Sequence, residues 1–593
     1  MENAEVAQIL SEIAGLLELT GGNPFRARAY TRAAQIVDGL AEPIEAILRR
    51  GELMDLPGIG ERIAAHVGEL IEKGTCAERE ELAAKVPPGL PELLRIEGMG
   101  PKTVAAVWKS LGITEVDALE EACRSGAILK VPRMGRVRVM ALLDAIRRHR
   151  ARRGRTPLYR ALPAAETIVE RLRKVPAVTA AEIAGSIRRR CETIGDIDLL
   201  VAATDPAPVT SAFAHMPEVA QIVAEGPTRS TVRLRSGLQA DLRVVEPRSF
   251  GAALQYLTGS KAHSIALRTR ALRQGLKLSE YGVFDRRGRR KGGKTEEEMY
   301  RAVGLPWIPP ELREDRGEVE AAEQGRLPHL VEEKDVLGDL HVHSKASSDG
   351  HSTVEELADA ARALGRRYLA ITDHSRSRPL GLDVDRLARH AEHIRALSSR
   401  DPVLLTGIEV DILPNGSLDL PLDALAGLQC VVASVHAHFS DPSPKMTERM
   451  VRAMRSGVVH VLGHPSGRQL GARDPYAFDL ARVLQVARET GVALEVNAHP
   501  ERLDLSDQAC RVAKAAGVPV VISSDAHHVS QLANLRYGVW VARRGWLEKA
   551  DVLNTLPLEA LQPRMRRKSL VAAKGRRRWP NRPDGIIETS RTQ

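Results

Sequence analysis

Gly185-Ser186-Ile187-Arg188-Arg189-Arg190-Cys191-Glu192-Thr193-Ile194-Gly195-Asp196-Ile197-Asp198 runs directly into the apolar segment Leu199-Leu200-Val201-Ala202-Ala203. A strand over 194–202 would place Asp196 and Asp198, two residues apart, on one face with converging carboxylates. Two like charges that close repel, and a divalent cation relieves them. The Gly-Ser step and arginine-rich turn ahead of them offer backbone N–H groups, a hydroxyl and cations to phosphates. Paired carboxylates beside such a cradle are what two-metal phosphoryl or nucleotidyl transfer requires. Asp-x-Asp alone reads more readily as a solvated strand end, since so short a motif matches by chance, so the surrounding string carries the weight.

That string resembles the palm motif of X-family DNA polymerases, relatives of DNA polymerase beta. Residues 238–245 alternate as a strand and carry Asp241, which the resemblance makes the third carboxylate. It implies catalytic roles for Asp196, Asp198 and Asp241, with Mg²⁺ or Mn²⁺ held between them. Tyr256-Leu257-Thr258-Gly259-Ser260-Lys261-Ala262-His263-Ser264 resembles the family's nucleotide-binding turn. Gly185, Ser186, Arg189, Tyr256, Gly259, Ser260 and Ser264 are thereby expected to bind a deoxynucleoside triphosphate. Leu257 stands where the family has Phe, and Ser264 where it usually has Asn. Neither is a metal ligand, so these departures bear on sugar selectivity and nucleotide affinity.

Upstream, Leu56-Pro57-Gly58-Ile59-Gly60-Glu61-Arg62 lies between two helical patterns, and Ile96-Glu97-Gly98-Met99-Gly100-Pro101-Lys102 repeats it. Each Gly-x-Gly turn opens a helix, letting backbone approach a phosphate at the helix N-terminus. The strings resemble helix-hairpin-helix motifs, with Gly58, Gly60, Arg62, Gly98, Gly100 and Lys102 as expected DNA-backbone contacts. Val131-Pro132-Arg133-Met134-Gly135 departs from the pattern at Arg133. In DNA polymerase beta the helix after the first hairpin carries a Schiff-base lysine; the matching position here is His66, which does not support that lyase chemistry.

The C-terminal part has a different composition. Thirteen of the eighteen histidines fall between His341 and His528. Seven apolar, β-rich runs alternate with helical patterns, and most end in a metal-ligand side chain. Residues 336–340 lead to His341 and His343, with Asp349 in the following loop; 368–372 lead to His374, 403–408 to Glu409, 430–435 to His436, and 458–463 to His464. Residues 492–496 end beside Asn497, and 518–524 lead to Asp525 and His527. Alternation of strand and helix implies parallel strands, whose C-terminal ends face one mouth. Nitrogen and oxygen donors without thiolates suit Zn²⁺, Mn²⁺ or Fe²⁺. The pattern resembles the PHP (polymerase and histidinol phosphatase) domain, a distorted seven-stranded barrel. Its ligand set maps onto His341, His343, Asp349, His374, Glu409, His436, His464, Asp525 and His527. The resemblance implies two or three ions and metal-dependent phosphoester hydrolysis; His438, His499 and His528 are expected to be supporting or structural.

With 593 residues, several domains are expected. They read as a helical helix-hairpin-helix domain (1–150), a nucleotidyltransferase palm with a small α/β thumb-type subdomain (151–312), a polar linker (313–335), a distorted (βα)7 barrel (336–560) and a basic tail (561–593), α+β and α/β overall. The net charge of +10 and the cationic run at 147–155 suit a polyanion. Five cysteines lacking Cys-x-x-Cys spacing point to a reducing compartment, and no leader-like or membrane-spanning run appears, so a cytoplasmic location without membrane contact is expected. The order of parts matches bacterial X-family DNA polymerases. That implies a repair enzyme, expected as a monomer, that fills short gaps in base excision or end joining on gapped or nicked duplex DNA, using deoxynucleoside triphosphates and trimming 3′ ends with the barrel. One rival reading is a metal-dependent DNA phosphoesterase whose polymerase-like core only grips DNA ends; another is a non-catalytic end-binding scaffold.

Overall fold

The computed structural model describes residues 3–565 except 39, 41–43, 57, 95, 97, 133, 153–154 and 399–400. The first part is helical. Helices α1 (Asn3–Leu19) and α2 (Pro24–Asp38) pack together, and Asn23 Oδ1 accepts from Phe25 N at 2.8 Å at the mouth of α2. Helices α3 (Glu61–Lys73) and α4 (Pro101–Leu111) each start from an extended glycine, Gly60 or Gly100. The preceding Gly58 and Gly98 have φ of 98° and 82°, the left-handed region where a side chain is strained. Leu10, Ile13, Ile63, Val67, Val104 and Val107 share one apolar core beneath both hairpins. Helix α5 (Arg136–Arg152) begins directly after Gly135; Arg133, residues 153–154 of the cationic run and tail residues 566–593 lie outside the described residues.

Helix α6 (Leu158–Arg173) then covers a five-stranded sheet of β1 (Val178–Ile183), β2 (Asp196–Ala203), β3 (Val219–Glu225), β4 (Arg229–Leu234) and β5 (Gln239–Val245), ordered β1-β2-β5-β4-β3. Strands β2 and β5 run parallel with Asp198 directly opposite Asp241. Helices α7 (Phe250–Thr258) and α8 (Lys261–Arg273) lead to a small antiparallel sheet of β6 (Leu276–Ser279), β7 (Gly282–Asp285) and β8 (Arg290–Gly292).

The linking segment is packed rather than solvated, contrary to its polar composition. Arg313 and Glu318 are fully buried: Arg313 pairs with Glu296 at 2.6 Å and Glu318 with His263 at 2.6 Å. Leu312, Val319 and Ala322 join Leu267 and Tyr300 in a common cluster. Each buried charge is tolerable because it meets an opposite charge or a hydrogen-bond partner.

Seven parallel strands follow: β9 (Gly338–Val342), β10 (Tyr368–Ile371), β11 (Val403–Asp411), β12 (Cys430–Ser434), β13 (Val461–Leu462), β14 (Ala493–Asn497) and β15 (Val520–Ser523). They pair in chain order, and a bridge between Val342 and Ala526 joins the two ends into a barrel. Every strand contributes to one apolar cluster: Leu340, Ala370, Leu405, Val432, Val461, Ala493 and Val521. Such a shared cluster is the packed interior of a closed parallel barrel. Crossover helices α9 (Val354–Ala363), α10 (Val384–Leu397), α11 (Ser443–Met454), α12 (Leu480–Thr490) and α13 (Asp507–Ala515) bury their apolar faces outside it.

The central sheet region and the barrel touch through charged contacts that the sequence did not announce. Arg468 Nη2 lies 2.5 Å from Glu192 Oε1, Arg544 bridges Glu314 and Asp507 at 3.0 Å each, and the Arg190 guanidinium sits 4.1 Å over the Trp540 ring.

Candidate functional sites

Two clusters stand out, one on the central sheet and one at the barrel mouth. On the sheet, alternation along β2 turns Asp196 and Asp198 to one side, and parallel pairing brings Asp241 beside them. Burial raises the Asp198 carboxyl to about 7, helped by the neighbouring Asp196 and Asp241 charges; burial and Asp241 also raise Asp196. Asp241 is oriented by Thr231 Oγ1 at 2.5 Å and Gln239 Nε2 at 2.7 Å, both donating. The three carboxylates thus gather negative charge that a divalent cation would relieve, and a donor set of oxygens alone fits Mg²⁺ or Mn²⁺.

The cleft beside them has a volume of about 400 Å³ and is lined by Gly185, Ser186, Arg189, Asp196, Asp198, Tyr256, Gly259 and Ser264. Ser260 caps α8, its Oγ accepting from His263 N at 3.3 Å. Arg189 is partly committed to structure: its Nε donates to Glu314 at 3.0 Å and its Nη1 to the Thr258 carbonyl at 2.5 Å. Ser264 Oγ is buried without a partner. Arg155, Lys261 and Arg268 also line the cleft; Arg155 ends the cationic run and Lys261 lies in the quoted turn, yet none of the three was assigned to the site from sequence.

Gly185 is where this site tolerates no side chain. Its φ is 60°, and a Cβ there would lie 1.9 Å from Asp198 Oδ2. Gly185→Ala should therefore displace the Asp198 carboxylate and reduce any activity of this site by on the order of 10²-fold, the usual cost of a misplacement of about 1 Å. Activity of the barrel, measured on the same preparation, should be unchanged.

At the barrel mouth the nine expected ligands come together. His343, Asp349, His374 and His527 form one group, His341, His343 and Asp525 a second, and His374, Glu409 and His436 a third, the donor atoms within each lying inside 4.8 Å of one another. His464 Nε2 is 3.0 Å from Glu409 Oε1. His341 Nε2, His343 Nε2, His374 Nδ1 and Asp349 Oδ1 are buried with no hydrogen-bond partner. Orphaned imidazole and carboxylate atoms within these groups fit metal cations. Burial and the neighbouring His527 and His374 push His343 down to about 4, whereas the surrounding carboxylates raise His374 against its own burial. Burial opposes ionisation of Glu409, yet the His436, His341 and His374 rings hold its carboxyl well below the usual range.

Supporting acids went unassigned in the sequence. Glu495 accepts from His341 Nδ1 at 2.7 Å and from His464 N at 2.6 Å; Asp411 accepts from His436 Nδ1; Asp373 binds Ser344, Ser347 and His390. Such partners fix ring orientation and raise ligand basicity. One signal was available: Glu409-Val410-Asp411 has the same two-residue spacing as Asp196-Ile197-Asp198. Asp411→Ala should lower metal affinity or hydrolysis by about 10- to 100-fold, read by Mn²⁺ titration. Of the remaining histidines, His528 caps a helical turn through Ser530 N at 3.3 Å, His438 is exposed, and burial pushes His499 down to about 4.

In the helical part, both Gly-x-Gly turns adopt the expected backbone, and Lys102 is exposed. Arg62 pairs with Glu78 at 2.8 Å while its side chain stays 63% exposed, and it shares that carboxylate with Arg26 at 2.5 Å. His66 Nδ1 is 2.6 Å from Tyr30 Oη, the two rings stacked.

Comparison with known proteins agrees with this layout. Residues 1–76 match a helix-hairpin-helix domain, 90–148 a SAM-like helix-hairpin-helix tandem, 253–314 the DNA polymerase beta thumb, and 339–499 the PHP domain. The DNA polymerase/3'-5' exonuclease PolX of Bacillus subtilis is 35% identical over 574 residues, covering 96% of this chain and 100% of that protein. A protein of Vibrio parahaemolyticus named a probable phosphatase is 31% identical over 236 residues, 37% of this chain and 90% of its own length. A second of that name from Shewanella oneidensis is 31% identical over 234 residues, 38% of this chain and 89% of its own. Among the described residues no helix is long and apolar enough to cross a membrane.

Proposed function

Since the chain belongs to the family of the Bacillus subtilis DNA polymerase/3'-5' exonuclease PolX, we propose that it fills short gaps in DNA at the central site and trims 3′ ends at the barrel. The observation that carries this reading is that both donor sets are complete and stand on separate scaffolds: Asp196, Asp198 and Asp241 across two paired strands, and nine donors at the barrel mouth.

Asp196, Asp198 and Asp241 would hold Mg²⁺ or Mn²⁺, and the barrel donors two or three Zn²⁺, Mn²⁺ or Fe ions; when bound, the ions supply Lewis acidity and neutralise phosphate charge. The chain's own groups do the rest. Ser186, Gly259 and Ser264 bound the cleft for a triphosphate, with Arg189 tying the turn at Thr258 to Glu314. Tyr256, beneath the Arg268 guanidinium at 5.5 Å, forms a wall for the sugar and base. Asp241, oriented by Thr231 and Gln239, is placed to accept the primer 3′-hydroxyl proton. The hairpin turns at Gly58 and Gly98 hold the duplex backbone without reading its sequence.

A duplex with a 5′-phosphorylated one-nucleotide gap tests the reading in Mn²⁺. With nucleotides present the primer should lengthen by one residue; without them it should shorten. Shortening with no extension would leave the phosphoesterase reading, with the central sheet as a grip on DNA ends.

A further inference from the structure

The turn that follows β14 brings a permanent cation to the barrel mouth. Asn497 and Asp504 exchange backbone hydrogen bonds of 2.5 and 3.2 Å, Arg502 N donates to the His499 carbonyl at 2.8 Å, and Leu503 adopts φ of 47°. The turn is pinned from both sides. Asn497 Nδ2 donates to Asp525 Oδ2 at 2.9 Å within the donor cluster. On the other side, Tyr159 Oη donates to Glu501 Oε1 at 3.0 Å, and Arg468, paired with Glu192, donates to the Leu503 carbonyl. The central region thus braces the turn that carries Arg502.

Arg502 Nε lies 3.6 Å from Asp525 Oδ2, too far for a hydrogen bond, and its side chain is 20% exposed. Among the described residues the guanidinium donates no hydrogen bond. Its approach to Asp525, one of the donors, places it at the edge of the cluster. Asp525 is a donor to the cations the mouth fits, so its charge is not reserved for Arg502. A largely covered guanidinium with a fork of free N–H groups wants a planar or tetrahedral oxyanion.

We propose that Arg502 binds the non-bridging oxygens of the 3′-terminal phosphodiester and positions it in the barrel mouth. The inference rests on the nuclease reading given above. Arg502 touches the phosphate, and the bond to be broken is left to the nine-donor cluster.

The test uses the full chain loaded with Mn²⁺, as wild type, Arg502→Ala and Arg502→Lys. Calorimetric titration with deoxyadenosine 5′-monophosphate, and with deoxyadenosine as the phosphate-free control, reads the contact without turnover. Arg502→Ala should weaken monophosphate binding by about 10- to 100-fold, the worth of hydrogen bonds to a charged group, and Arg502→Lys should recover part of it. The KM for trimming a 3′ end should rise more than kcat falls, with bound manganese unchanged. Unchanged monophosphate affinity in Arg502→Ala would overturn the proposal. So would loss of manganese, because Arg502 would then be a prop for Asp525. A wild type that neither trims nor binds the monophosphate would overturn the nuclease reading itself.

Discussion

Asp198→Ala should lower gap filling on the order of 10³-fold, several kcal/mol of lost transition-state stabilisation, and leave 3′ trimming at the wild-type rate. Asp198 sits between Asp196 and Asp241, and burial with those two charges lifts its carboxyl to about 7. Without a cation a group raised to about 7 is about half protonated at neutrality and more so below it; with one it ionises and becomes a ligand. Activity of the wild type should therefore depend on cation concentration more steeply as pH falls below about 7. Asp198→Asn is the control for shape: it keeps the side chain's volume and should lose nearly as much. Primer extension on a gapped duplex measures the loss, and trimming of an unpaired 3′ end on the same preparation measures what is retained. Residual extension within tenfold of wild type would remove Asp198 from the site.

Glu409→Gln should abolish trimming to a similar degree and leave gap filling intact. Glu409 is the hub of the barrel mouth. Its Oε2 lies 2.8 Å from His374 Nδ1, 3.5 Å from His341 Nε2 and 3.6 Å from His343 Nε2, while its Oε1 lies 3.0 Å from His464 and 3.3 Å from His436. Glutamine keeps the shape but removes the charge that balances cations among five rings, and it turns an N–H₂ group toward ring nitrogens that must stay lone-pair donors. Bound metal, counted by elemental analysis, should fall together with trimming. Unchanged metal with lost trimming would make Glu409 an acid–base group rather than a ligand.

Much of both sites was legible because strand periodicity is short and strict. Asp196 and Asp198 had to share a face once β2 was a strand, and Asp241 had to be reachable once 238–245 alternated. The barrel ligands were legible for a related reason: most end an apolar run, and parallel strands end at one mouth. What the chain alone withheld were pairings between distant residues. Glu495 and Asp411 are acids on buried strands, and only the closed barrel shows that they hold His341 and His436. Residues 313–335 read as a polar linker, yet Arg313 and Glu318 within it are each buried against a partner outside it, Glu296 or His263. The Glu78 partner of Arg62 was likewise a pairing that the chain alone did not show. The contacts of Glu192 with Arg468 and of Glu314 with Arg544 belong to the same class, and they set how the two sites sit together.

The central claim is that one chain carries two independent active sites, and one assay tests it most directly. Wild type, the Asp196→Ala/Asp198→Ala double variant and Glu409→Gln are each given a labelled primer on a one-nucleotide gap in Mn²⁺, and both lengthening and shortening are followed after nucleotides are added or withheld. The account predicts a double variant that only shortens the primer and a Glu409→Gln variant that only lengthens it. Loss of both activities in either variant would contradict it and show that the two clusters serve a single reaction.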